Sequence, residues 1–181
     1  MIIIDKKKQQ KIHTRQIDIA TYKGASDSLV IEGVLKDERL LESFRLTGEI
    51  HPPGTVHHMI IRIKVSVQDL VIEDVGVEMP TVPRKECRET LESLLPIKGI
   101  PIVAGFAAKV IDLAGGVKGC CHIMALLNAM APAAVQGAWS AMARTPIDPA
   151  TYIPVTMERV RNTCWVWRSD GSLMKEYNSM A

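Results

Sequence analysis

The first half of the chain alternates apolar and polar residues, which predicts an antiparallel β-sheet. Residues 14–35 alternate on both sides of the small turn-forming stretch KGASDS, as a β-hairpin does. Two later runs, HHMIIRIKVS and DLVIEDVGVEMP, repeat the period of two and predict a second antiparallel pair. Met59, Ile61, Ile63 and Val65 are predicted to share one face, and the apolar positions of the other strands are Ile17, Ile19, Leu29, Ile31, Leu70, Ile72 and Val75.

The pattern changes after Pro80 and Pro83, where helical spacing replaces strand spacing. The stretch PRKECRETLESLL places its apolar residues at helical intervals and predicts a helix. Residues 106–113 fit a helix or a strand equally well. A long apolar helix is predicted to begin near Cys120, after a glycine-rich turn, and Pro132 is expected to kink or split it.

The last alternating segment, NTCWVWRSDGSLMKEY, predicts a closing hairpin that adds a C-terminal strand to the sheet. The fold class is therefore α+β: an antiparallel sheet of N-terminal hairpins plus a C-terminal strand, with two or three helices packed on one face. Residues 1–12 are predicted to be a leading tail and residues 13–181 a single domain.

Charge and composition narrow the range of functions. The net charge of +2 is too small to favour nucleic acid. A long uncharged run ends before Arg144, but it is rich in alanine and holds polar residues and Pro132, so we expect a buried helix and no membrane partner. No secretory signal is apparent, so a cytoplasmic location is expected, where cysteines act as thiols or as ligands.

Two groups of residues suggest chemistry. Cys120, Cys121 and His122 lie at the predicted helix start, where unpaired backbone N–H groups stabilise a thiolate. His57 and His58 lie where a loop becomes a strand. Thiolate and imidazole donors favour zinc or iron. The predicted metal ligands are His57, His58, Cys87, Cys120, Cys121 and His122, and the predicted catalytic residues are Cys120, His122 and His57.

Nearly the whole chain resembles a bacterial family of unknown function. The resemblance rests on GTVHHMIIRIKV, PRKEC, KGCCHIMALL and NTCWVWRSDGSL. Members of that family usually carry His-Asp-Met, a cysteine after a proline-rich turn, Gly-Cys-Thr-His-Leu, and a late cysteine. His58 stands where the family has aspartate, and Cys121 where it has threonine. The resemblance implies site roles for His57, Cys87, Cys120, His122 and Cys164.

The order of elements is also similar to that of iron–sulfur scaffolds of the IscU/NifU type, although the first scaffold cysteine is absent. Four functions remain open from the sequence, the fourth being a structural domain that dimerises through the Ala/Met-rich helix. The first is a small metalloenzyme that acts on a small organic metabolite through zinc or iron. The second is a non-enzymatic zinc or iron–sulfur carrier, and the third is a metal-free enzyme with a cysteine nucleophile. The expected partners are a small-molecule ligand and a second copy of the chain, bound through the Ala/Met-rich helix.

Overall fold

A four-stranded antiparallel sheet forms the centre of the computed structural model, which describes residues 9–146 and 148–179. The strands are β1 (His13–Lys23), β2 (Ser28–Arg39), β5 (Gly54–Ser66) and β6 (Ile72–Thr81). They pair in the order β1-β2-β5-β6. A short ribbon of β3 (Ser43–Phe44) and β4 (Ile50–His51) lies between β2 and β5 in the chain. The α+β class and the predicted N-terminal hairpins are confirmed.

One face of this sheet carries the core. Met59, Ile61, Ile63 and Val65 of β5 have no exposed surface, as their period of two predicts. A register shift near Lys64 and Val65 lets β6 keep the same face inward: Ile72 lies opposite Val65, and Val75 lies opposite Ile63. The bulge explains how apolar residues at odd and even positions of β6 share one side.

Within the described residues, four α-helices follow the sheet: α1 (Phe106–Ala114), α2 (Cys121–Met142), α3 (Pro149–Val160) and α4 (Ser172–Asn178). Helix α2 lies across the apolar face and buries Ile123, Leu126, Leu127 and Met130. It begins one residue after Cys120 and continues through Pro132 without being split. In the part of the chain that the structure describes, no helix combines the length and the apolar character needed to cross a membrane.

The segment after β6 differs from the prediction. Its residues form short 3₁₀ helices, Lys85–Thr90 and Leu95–Ile97, instead of an α-helix. Arg84 caps the first without a side-chain hydrogen bond, and Pro96 at the start of the second lacks an N–H to continue a helical ladder. Cys87 therefore does not lie at the start of an α-helix.

The predicted C-terminal strand is not formed. Residues 161–171 form turns between α3 and α4, held by the Asn162 side chain, whose oxygen accepts hydrogen bonds from Ser169. Trp167 packs in a second small cluster with Met157, Val160 and Met174. The alternation of this segment reflects tryptophan packing and a cation–π contact of Arg168 with Trp165, not strand pairing.

Candidate metal centre

A buried carboxylate interrupts the apolar face of the sheet. Leu29, Ile31 and Leu35 of β2 are buried, and Asp37 continues their alternation with a side chain that is only 3% exposed. Arg15 of β1 lies directly opposite Asp37 in register. Its Nε donates to Oδ1 and its Nη2 to Oδ2, each at 2.7 Å. The hydrogen bonds from Arg15 hold the pKa of Asp37 below its usual value, against the opposing effect of burial.

Two imidazoles meet this carboxylate from different elements. His57 of β5 places Nδ1 at 3.0 Å from Oδ2 of Asp37, and His122 of α2 places Nε2 at 3.7 Å from the same oxygen. The two rings stack with centroids 3.7 Å apart and planes inclined by 28°. One donor atom from each of the three residues lies within 4.8 Å of the others, so strand β2, strand β5 and helix α2 present one oxygen and two nitrogens to a common point.

Local backbone features aim these side chains at each other. The register of β2 and β5 shifts just beyond the Asp37–His57 pair, where Glu38 faces Thr55. A bulge of this kind re-aims side chains at the end of a sheet. Cys120 has an extended backbone and precedes the first turn of α2, so His122 is the second residue of that helix and projects from its N-terminus. The first turn of α2 thereby covers the polar end of the sheet.

Both thiols of the helix start lie beside His122. The Sγ atoms of Cys120 and Cys121 are 3.7 Å and 3.6 Å from Nδ1 of His122, on the ring edge away from Asp37. Cys120 is partly buried and Cys121 is exposed. Burial, and then the charges of His57 and Arg15, lower the pKa of His122, so its neutral form is favoured. A neutral ring is the form that can accept a proton or bind a metal.

The other predicted site residues lie elsewhere. His58 pairs with Thr81 of β6, and the alternation of β5 turns it to the opposite face from His57. Cys87 packs against the core from its 3₁₀ helix, and Cys164 is exposed in the turn before α4. Among residues 9–146 and 148–179, the cluster of three potential metal ligands consists of Asp37, His57 and His122 and contains no cysteine.

Sequence reasoning missed Asp37 and Arg15. The signal for Asp37 was present, because this acidic residue continues an inward row that begins with the apolar Leu29, Ile31 and Leu35. A buried carboxylate needs a partner, but the identity of that partner depends on the pairing of β1 with β2.

An α+β fold with a buried carboxylate and two stacked imidazoles defines a small protein with a candidate site for a transition metal. The chain belongs to the family described as protein of unknown function (DUF2889), whose model matches residues 13–136. The matched range includes Asp37, His57 and His122. No curated protein and no solved structure matches the chain.

Proposed function

We propose that the protein is a metal-dependent enzyme that acts on a small organic molecule, with zinc or ferrous iron held by Asp37, His57 and His122. The observation that carries this proposal is the convergence of three donors from three elements around one buried carboxylate. Two histidines and one carboxylate leave coordination positions free, as in metal sites that bind substrate or water.

Two of the three donor spacings are close to those of a single ion, and the stacked rings of His57 and His122 would have to tilt apart for both nitrogens to face it. With metal–ligand distances of about 2.0–2.1 Å, two ligands of one ion lie about 2.9 Å apart at a right angle and about 3.4 Å apart at a tetrahedral angle. Oδ2 of Asp37 lies 3.0 Å from His57 Nδ1 and 3.7 Å from His122 Nε2. A closing movement of a few tenths of an ångström at His122 brings both pairs into this range.

The hydrogen bonds of Asp37 leave room for an ion. An ionised carboxylate has roughly four lone-pair sites, and Arg15 occupies one on each oxygen. Nδ1 of His57 occupies a third lone-pair site. An ion bound between His57 and Asp37 would replace that hydrogen bond. Arg15 keeps the carboxylate ionised and fixes its plane, as outer hydrogen bonds do for metal ligands.

The remaining residues suit catalysis at such an ion. When bound, the metal would polarise a substrate oxygen or lower the pKa of a coordinated water. Cys120 and Cys121 lie at Nδ1 of His122, on the ring edge away from Asp37, so the two thiols position the imidazole and stand outside the three-donor set. We do not include Cys87 and His58 in the ligand set, because one lies in a separate 3₁₀ helix and the other on the opposite face.

Elemental analysis of protein purified without chelator tests the proposal. We expect close to one zinc or iron per chain, and at least a tenfold loss of bound metal in Asp37→Asn and in His122→Ala. His58→Ala is the matched control, because it removes the neighbouring imidazole of the same strand without touching the three donors. Equal metal content in all four proteins, with circular dichroism showing each folded, would refute the site.

The contacts of the thiols support a second candidate, a metal-free enzyme with a cysteine nucleophile. A chain of groups runs from Sγ of Cys121 to Nδ1 of His122, and from Nε2 of His122 to Asp37. Thiol, imidazole and carboxylate in this order are the parts of an activated cysteine. The 3.7 Å between Nε2 of His122 and Oδ2 of Asp37 is longer than a good hydrogen bond, and for this reason we rank it second.

Chelator treatment separates the two candidates. If the thiol acts alone, the reaction of Cys121 with an electrophile is unchanged or faster once metal is removed, and Cys121→Ser abolishes turnover of any substrate found. If the ion is essential, stripping abolishes turnover and zinc or iron restores it.

A further inference from the structure

The candidate metal centre opens towards β1, the strand at the edge of the sheet. Side-chain exposure is 3% at Asp37, 14% at His57 and 22% at His122. It increases to 39% at Arg15 and 52% at His13, both on β1. A molecule that approaches the three donors from solvent on this side therefore passes Arg15 and His13.

Arg15 has donors left to offer such a molecule. A guanidinium carries five N–H groups in a fixed plane, and the bonds from Nε and Nη2 to Asp37 use two of them. No partner of Nη1 is found within the described part of the chain. The bidentate contact with a buried carboxylate holds the guanidinium in one orientation, so its remaining donors are oriented before a ligand arrives.

Positive charge exceeds negative charge at this opening. The charges of Asp37 and Arg15 cancel. A divalent ion would add positive charge, and the other two described donors, His57 and His122, carry no negative charge to offset it. Arg39 lies directly opposite His13 in the β1–β2 pairing, on the same face as Asp37. The nearest acidic residue of β2, Glu38, points to the other face, where it pairs with Lys36.

We propose that the site takes a small molecule with an oxyanionic group, a carboxylate or a phosphate, which docks on the free edge of Arg15 while a second oxygen reaches the ion. This inference rests on the proposed function, because it places the ligand between Arg15 and the metal of Asp37, His57 and His122. Arginine is suited to the role because its planar donors match two oxygens at once. The substrate of the enzyme then carries an acid group next to the reacting oxygen.

Cobalt(II) loading tests this, with the visible spectrum of the bound cobalt as the readout. Cobalt stoichiometry is measured first, and each protein is then titrated with oxalate, with inorganic phosphate and with the neutral oxamide. The variants are Arg15→Gln and Arg15→Lys. Arg62→Gln is the matched control, because Arg62 is likewise held by carboxylates, those of Glu32 and Glu78, but lies on the opposite face of the sheet.

We expect the unmodified protein to bind at least one of the two anions tenfold or more tightly than oxamide. Arg15→Gln should weaken that binding at least tenfold, Arg15→Lys by less, and Arg62→Gln by less than twofold. A preference for oxalate identifies a carboxylate ligand, and a preference for phosphate a phosphorylated one.

Four results would overturn the inference or its basis. If the protein binds cobalt but shows no preference for anions over oxamide, Arg15 has no docking role. The same conclusion follows if Arg15→Gln binds the anions as tightly as the unmodified protein does. Neither result contradicts the metal centre. If Arg15→Gln no longer retains cobalt, its anion affinity cannot be measured and the Arg15→Lys variant is used instead. Anion affinity that is unchanged in Arg15→Lys would contradict the need for a planar guanidinium. Failure of the unmodified protein to bind cobalt refutes the proposed function itself.

Discussion

The rings of His57 in β5 and His122 in α2 stack with centroids 3.7 Å apart, although the two residues are distant in sequence. Two protonated rings at this separation repel each other, and the charge of His57 contributes to the lowered pKa of His122 after burial. The pair is therefore held in a state with at least one neutral ring near pH 7, as metal binding and proton acceptance both require.

This lowered pKa predicts how the stability of the metal-free protein changes with pH. His122 is protonated below pH 6.5 in the unfolded chain, but only at lower pH in the folded one. The unfolded state binds more protons in that window, so the free energy of unfolding falls as pH drops from 6.5 towards the pKa of folded His122. Urea unfolding at several pH values should show this slope, and His122→Asn should reduce it.

His51 provides the comparison for that experiment. Slight desolvation, followed by the charges of Arg39 and Arg45, also lowers its pKa, but the residue is on the surface, where solvent screens the effect. His51→Asn should change the slope less than His122→Asn does. The opposite order would contradict the assignment of the slope to the stacked pair.

Breaking the Arg15–Asp37 pair should be asymmetric. In the metal-free protein, Arg15→Met leaves a carboxylate that is 3% exposed without its main partner, at a cost of about 1–3 kcal/mol. Asp37→Asn should cost less, because Arg15 is 39% exposed and can be solvated in place. Urea unfolding of the two variants at pH 7 measures the difference, and a larger loss for Asp37→Asn would contradict this reading of burial.

Acid unfolding gives a second measure of the same pair. Asp37 has a folded pKa below 3.8, so its contribution is present above pH 3.8 and is lost as pH falls through the lower, folded value. Arg15→Met removes the main cause of that lowering and should move the acid transition to higher pH. An unchanged acid midpoint in Arg15→Met would show that Arg15 does not hold the carboxylate ionised.

The close approach of α2 to β1 makes Gly137 a sensitive position. A Cβ there would lie 2.5 Å from Cγ2 of Thr21, a branched side chain that cannot easily swing away. Gly137→Ala should therefore destabilise the protein by about 1–3 kcal/mol through overpacking, although alanine normally stabilises a helix interior by about 1 kcal/mol relative to glycine. Thermal or urea unfolding shows whether Gly137→Ala lowers or raises the free energy of unfolding.

Two further variants check that explanation. Gly76→Ala in β6 meets no atom within 4 Å and should stay within about 0.5 kcal/mol of the parent protein or stabilise it. Combining Gly137→Ala with Thr21→Ala should recover part of the loss, because the double variant removes Cγ2 and Oγ1 of residue 21 and leaves only its Cβ, at 2.9 Å. Additive losses would place the cause elsewhere.

The two exposed cysteines should differ in reactivity. Cys121 begins α2 with its Sγ 3.6 Å from Nδ1 of His122, whereas Cys164 lies in a turn between helices. An imidazole beside a thiol can take its proton as the sulfur reacts. Iodoacetamide labelling near pH 7, followed by mass spectrometry, should therefore modify Cys121 several-fold faster than Cys164.

Removal of the neighbouring imidazole checks the cause of that reactivity. His122→Asn should slow the labelling of Cys121 towards the rate of Cys164, and added zinc should slow it in the parent protein. Equal rates for the two thiols in the parent protein would remove the second candidate function.

The sequence alone determined the strands, the long helix and the sides they bury. A period of two in residues 14–35 and 57–65 is sufficient to assign an inward face, because burial acts on every second side chain of a strand. The same rule misled at residues 162–170, a turn segment in which Trp167 packs in a small cluster and Trp165 is exposed. It also failed at residues 84–97, where Pro96 and a weakly capped start favour 3₁₀ turns over the helix that spacing suggested.

The composition of the candidate site was decided only by tertiary structure. The sequence singled out His57 and His122 as chemically suited residues, but nothing local shows that Asp37 and Arg15 stand opposite each other or that His58 faces away. Those facts depend on the register of three paired strands and on where the first turn of α2 meets them. Pairing register is set by burial of the whole face and by bulges, so the site is a property of the assembled sheet and helix.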